Sequence, residues 1–310
     1  MIVIARKSIF SLGKAGNQSG VALLQVLLLS AMISILAIEF SKTARKQLVM
    51  ADQLQDRVEA ELASHSTIAE IIFAELSHKV TPMGLARSPL LPNYYGLKGK
   101  RYGFPLIVKE GTTVSIQDLN GLLPQMFPQH ILWRKLLEQA NIPEGDISRY
   151  LGVWEDIQDS DHASWLLGSQ EPKRLAAGGR YLNGFAQNSK VMEWVFFDRP
   201  ELAKSLMNIS NIHAPYETSL LNSPENLLES ILDPKIAGSF IRGRSEDITN
   251  AKSLLLMLPK EYSSPDMYDH DSNRLQINVE VSLGLASWSE SRIVYFSAKS
   301  NPPFKVILKK

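Results

Sequence analysis

From Gly13 to Leu48 the chain reads GKAGNQSGVALLQVLLLSAMISILAIEFSKTARKQL, and what this stretch becomes decides the fold. The 18 residues from Val21 to Ile38 carry no charge and are interrupted only by Gln25, Ser30 and Ser34. Such a run just reaches the length that spans a hydrocarbon core of about 30 Å. Arg6, Lys7 and Lys14 precede it without an acidic residue, which favours a cytoplasmic N-terminus. Lys42, Arg45 and Lys46 against Glu39 make the far flank basic as well and weaken that orientation. A secretory signal would close its apolar run with a small-x-small cleavage site, and Ile35 two residues before Ala37 matches this poorly.

Beyond the apolar run, neither glycine nor proline occurs between Gly20 and Pro82. Leu48, Ala51, Leu54, Val58, Leu62, Ala69, Ile72 and Leu76 recur mostly at three- or four-residue steps, so the apolar segment continues into an amphipathic helix. At 1.5 Å per residue that helix would be about 85 Å long, far more than a bilayer needs. Half is therefore expected to serve membrane or partner contact, and half to pack on a soluble domain. After Pro82, TPMGLARSPLLPNYYGLKGK reads as a loop from its breakers. Tyr102 to Val108 and Thr112 to Gln117 read as a hairpin turning at Glu110 and Gly111.

From Pro128 to about Pro259 the pattern turns helical. The pieces are HILWRKLLEQA, DISRYLGVWEDI, KVMEWV, RPELAKSL, SPENLLESIL and EDITNAKSLLLML. Pro200, Pro224 and Pro234 stand at first-turn positions, with Ser223 and Asp233 as caps. NRLQINVEVSLGLAS, ESRIVYFSA and PFKVILK then alternate like strands. The fold class expected is α+β: a long N-terminal helix packed on a small antiparallel sheet, with a large all-α domain inserted between the strands.

Composition excludes more than it identifies. The 310 residues are 45% hydrophobic and 21% charged, enough for packed cores and without the bias of a disordered chain. Lys plus Arg number 33 against 32 Asp plus Glu, so no global field points to nucleic acid. Without cysteine there is no disulfide, thiolate metal site or thiol nucleophile. The phosphate loop, the serine elbow, the HExxH zinc pair and the dinucleotide fingerprint are all missing, so nothing supports an enzyme. The six histidines, His65, His78, His130, His162, His213 and His270, show no four-residue ligand spacing.

Two acidic clusters remain: Asp156, Asp159 and Asp161 beside His162, and Asp266, Asp269 and Asp271 around His270. Carboxylates so spaced in a loop can converge on calcium, which accepts irregular geometry; equally, they can form a solvated loop capping the next helix. Trp133, Trp154, Trp165, Trp194 and Trp288 read as core rather than contact residues.

A basic leader ending in glycine, followed by a hydrophobic residue that opens a long helix, resembles the class III signal of type IV pilins and type II secretion pseudopilins. A plain membrane anchor preceded by a chance glycine is the alternative on spacing alone. The order of elements narrows the resemblance. With Asp118-Leu119-Asn120-Gly121, the run VWEDIQDSD from Val153, and NISNIHAPYETSLLNSPENLLESI from Asn208, the chain resembles the K-type minor pseudopilins of type II secretion. It departs from them where SNIHAP replaces NVNTAP, and where HASWLLGSQEPK lacks their Gly-Ala-Glu-Asp stretch.

The resemblance implies a leader over 1–20, a transmembrane and fibre-core helix over 21–40 and its periplasmic continuation over 41–81. A linker and first strands would follow over 82–120, the helical insert over 121–265 and the closing strands over 266–310. It implies cleavage after Gly20 by the prepilin peptidase and methylation of Val21 as the new N-terminus. Gln25 stands at the fifth mature position, where most members carry glutamate for assembly. It implies calcium in the helical domain without identifying the ligands, and no required cofactor. Implied partners are I- and J-type minor pseudopilins in a tip complex, the major pseudopilin fibre, and the secretion channel or exported proteins. The protein would sit in the inner membrane by a single pass, its body in the periplasm, as a non-enzymatic tip subunit initiating a secretion pseudopilus. A tip pilin of a type IV pilus, for adhesion or DNA uptake, is the nearest alternative. A membrane-anchored periplasmic enzyme is the distant one.

Overall fold

The computed structural model describes residues 18–77, 80–81, 84–85, 100–158, 184–245, 254–259, 262, 272–297 and 299–309. Helix α1, Gln18–Ser77, runs 60 residues without a break. It ends before Pro82 rather than at it, because the β-branched pair Val80–Thr81 (β1) bonds antiparallel to Gly84–Leu85 (β2). The expected loop after Pro82 therefore opens with a tight pair of strands; residues 86–99 of it lie outside the described set. The chain divides into two compact units at Asp56 and Arg57, and the elements below belong to the second.

Its sheet has five antiparallel strands in the order β3-β4-β7-β8-β9: Leu106–Lys109, Thr112–Asp118, Arg274–Leu283, Ala286–Phe296 and Phe304–Lys309. The first strand is shorter than expected. Tyr102 makes only an isolated bridge to Gln117, and Pro105, which lacks an N–H for the ladder, precedes Leu106. Gly111 makes the turn with φ +69°, and a Cβ there would lie 2.3 Å from the carbonyl oxygen of Ser282. Alternation along β4 and β7 buries Val114, Ile116, Leu275, Ile277, Val279 and Val281 against Ala60, Ile68, Ile71 and Ile72 of α1. Both edge strands are irregular: β3 bulges at Val108 and β9 at Ile307.

Between β4 and β7 the chain inserts a second core. Leu123–Pro124 (β5) pairs in parallel with Ser210–Asn211 (β6), a contact that two-residue strands cannot announce in sequence. The helices are α2 Ile131–Gln139, α3 Glu144–Gln158, α4 Val191–Val195, α5 Pro200–Asn208, α6 Glu225–Ile231 and α7 Pro234–Ser245. Asp233 caps α7 as expected, accepting from the Lys235 N–H at 2.9 Å. Ser223 does not cap α6: its hydroxyl donates to the Ser219 carbonyl, and Pro224 takes the cap position. EDITNAKSLLLML is described only from Leu254: Leu254 and Leu255 are helical and the chain turns from Leu256, while the rest of the expected helix lies outside the described residues.

Trp133 and Trp154 are fully buried, edge to face with centroids 4.7 Å apart. Each indole N–H finds a carbonyl, Trp133 that of Pro124 and Trp154 that of Gln125, both at 3.1 Å. Both are core residues, as their positions in the sequence suggested. Trp194 and Trp288 are partly buried against their cores, and Trp165 lies outside the described residues.

Candidate functional site

α1 is where the sequence placed function, and its surface divides sharply. Among the described residues it is the one helix long and apolar enough to cross a membrane, and none of its most apolar window is buried. Leu24, Leu36 and Phe40 stand 64%, 68% and 77% exposed. The two serines in the run are satisfied within the helix, Ser30 donating to the Leu27 carbonyl and Ser34 to that of Ser30. Gly20 lies in the first turns of α1, and Val21 and Gln25 follow on its exposed part.

Further along, the buried face is not the one the apolar spacing marked. Of the eight recurring apolar residues only Ile72 is buried; Leu48, Ala51, Leu54, Val58, Leu62, Ala69 and Leu76 are exposed, and Phe73 with them. The buried residues of α1 are instead Ala60, Ser64, Thr67, Ile68, Ile71, Ile72, Ala74 and Glu75. Three of these eight are polar and two are alanine, which is why their spacing carries little hydrophobic signal. Glu75 and Arg101 form an ion pair at 2.6 Å with both side chains 4% exposed.

A second buried carboxylate, Glu290 of β8, accepts from Arg292 Nε at 2.6 Å, Lys309 Nζ at 3.3 Å and the Ser64 hydroxyl at 3.4 Å. His65 Nε2 lies 3.1 Å from it. Burial acts to raise the Glu290 pKa. The Arg292 guanidinium, Lys309 and His65 more than offset this and hold it below the usual carboxylate range.

The Asp118-Leu119-Asn120-Gly121 motif proves to be a joint, where the chain leaves the sheet for the insert. Asp118 is fully buried; it accepts from the Asn120 N–H at 3.2 Å, the Ser272 N–H at 2.9 Å and the Ser272 hydroxyl. One carboxylate thus ties the departing strand to the returning one. Asn120 holds the segment before α6, accepting from Asn222 Nδ2 at 3.2 Å and, through its carbonyl, from the Ser219 N–H at 2.7 Å. At Gly121 a Cβ would fall 1.9 Å from the Asn222 carbonyl oxygen, so only glycine fits. Arg244 of α7 closes the joint, buried, 3.6 Å from the Tyr102 ring centre and donating to the carbonyls of Leu221 and Ser223. Burial lowers this guanidinium to about 10, which leaves it charged at neutral pH. Of the missed members, Ser272 is 154 positions from Asp118, Asn222 is 102 from Asn120, and Arg244 is at least 21 from the carbonyls it meets, so no local signal marks them.

Of the acidic candidates, Asp156 lies within α3 rather than in a loop, 2% exposed and two residues from the helix end. Asp159, Asp161, Asp266, Asp269 and Asp271 fall outside the described residues. Among the described residues no three carboxylates or imidazoles converge as metal ligands would. Calcium therefore draws no support from the donor set on view.

No family model matches the chain, and no curated protein does. The solved structures are more informative. The crystal structure of the GspK-GspI-GspJ complex from the enterotoxigenic Escherichia coli type 2 secretion system contains a chain that matches with a TM-score of 0.54. The match covers 86% of this chain and 98% of that one at 11% identity. The fold is that of a K-type minor pseudopilin. This pseudopilin fold accounts for the long helix, the five-stranded sheet and the helices placed between its strands.

Proposed function

We propose that the protein is a minor pseudopilin of a type II secretion system, standing at the pseudopilus tip and initiating fibre assembly rather than catalysing a reaction. The observation that carries the reading is α1: apolar and exposed from Val21 to Phe40, then exposed again along the stripe Leu54, Val58, Leu62, Phe73 and Leu76. An apolar surface of that extent is covered in the working protein, first by lipid and then by neighbouring subunits. The I- and J-type minor pseudopilins are the proposed neighbours, since the fold match lies in a complex whose name carries those components. The major fibre would follow beneath, with the body in the periplasm near the channel and its exported proteins. No nucleic-acid partner is invoked.

On this reading the prepilin peptidase cuts after Gly20 and methylates Val21. Intact mass of the membrane-extracted protein is the test: loss of residues 1–20 with one added methyl supports it, whereas a full-length chain or a cut near Ala37 removes it. Replacing Gly20 with a bulky residue leaves the precursor anchored and uncut, because the scissile bond must admit a small side chain.

Calcium at Asp156, Asp159 and Asp161 rests on spacing and resemblance alone. A cation bound only by the folded state stabilises it by about 2.7 kcal/mol at a hundredfold excess over its dissociation constant. Melting temperature should then rise with calcium and fall with chelator. Indifference to both, with triple alanine substitution silent, marks the segment as solvated acid.

A further inference from the structure

We propose that His65 is a proton-operated latch on the sheet's C-terminal edge strand, β9. The inference rests on the fold and not on the fibre role. His65 Nε2 faces two groups at once, Glu290 Oε2 at 3.1 Å and Lys309 Nζ at 3.4 Å. A neutral imidazole nitrogen can donate or accept, not both. With the proton on Nδ1, Nε2 accepts from the Lys309 ammonium and tethers the end of β9 to α1. With both nitrogens protonated, Nε2–H donates to Glu290 and the ring presents a positive charge to Lys309. Acid therefore tightens α1 on β8 and removes the α1 tether of β9, whose Lys309 keeps the 3.3 Å bond to Glu290, so that β9 loosens in part.

The surrounding charges keep that choice sharp. Among the described residues, Glu290 from β8 and Lys309 from β9 are the charged groups in contact with the ring; Arg292 acts through Glu290, and Glu61 lies one turn back on α1. Glu290 is held below the usual carboxylate range, so it stays an ionised acceptor whichever form the ring takes. The ring is 36% exposed and so open to protons from solvent. The bulge at Ile307 leaves β9 with an interrupted ladder, so the tether at Lys309 matters more than it would on a regular strand.

Hydrogen exchange of the full-length chain in detergent tests the latch at about pH 5 and about pH 8, the range across which imidazoles change charge. Protection of the Phe304–Lys309 amides, corrected for intrinsic rates, should fall about two- to fivefold at the acid end, the range expected of one partly exposed ion pair. β7 should hold its protection. His65→Gln and Lys309→Met, which keep bulk but remove the proton or the ammonium, should each abolish the pH response. The latch is wrong if wild-type β9 ignores pH, if either variant responds like wild type, or if β7 and β8 loosen as much as β9.

Discussion

Asp118 gives three donors from two chain segments a single acceptor group, and alanine at this position would take it from the buried Asn120 N–H and from the part-buried Ser272 N–H and hydroxyl. Asp118→Ala should cost about 1–3 kcal/mol, the penalty of stranding buried polar groups, read as a lower urea midpoint for the detergent-solubilised chain. Asn at 118 should recover part of that loss. Gly121→Ala should be at least as harmful, since its methyl meets backbone rather than a movable side chain. The Glu290 cluster sets a pH dependence whose sign follows from its lowered pKa. The stabilisation is present above the ordinary carboxylate range and lost as pH falls through the folded value, so acid melts should be flatter in Glu290→Gln. Gln25 is the residue at which the proposed function predicts tolerance. A carboxylate in a membrane helix costs about 2.5–3.5 kcal/mol and needs a partner, whereas the amide carries no charge for a subunit ahead to bind. Gln25→Leu should therefore leave secretion nearly intact, measured as exported protein in the medium.

At the scale of elements, α1 shows both what the sequence could reveal and what it could not. Its existence and length followed from 60 residues free of proline, with Gly20 alone near its start. Its packing face did not, because Ser64, Thr67 and Glu75 are buried through pairing and close approach rather than through hydrophobicity. Periodicity located an apolar stripe correctly and pointed it at the wrong neighbour. Leu62→Glu and Phe73→Glu test this division: exposed in the chain alone, they should change stability by less than about 0.5 kcal/mol yet reduce copurification of partner subunits. Ile68→Glu, fully buried, should instead prevent the sheet from packing. The strands of the sheet were legible because their alternation is regular, whereas β5 and β6 were not, being two residues each and joined across the insert.

For the whole molecule, the sheet and the helical insert communicate through two crossings of the chain, at Asp118 and at Ser272. The motif at the first crossing was visible as a string; its purpose needed residues far away in the sequence. The tip position proposed above draws on Gln25 and on the bulk of an insert for which a fibre interior would have little room. Immunogold labelling of overexpressed fibres should mark one end only, and label repeating along the shaft would contradict it.

Both outer strands of the sheet carry a bulge and a lysine, Lys109 on β3 and Lys305 and Lys309 on β9. A strand so interrupted and charged is a poor template for another chain's backbone. The sheet thereby resists accretion: copies meeting in solution stack poorly into a cross-β ribbon through these margins, and the ordered growth proposed above would fall to helices.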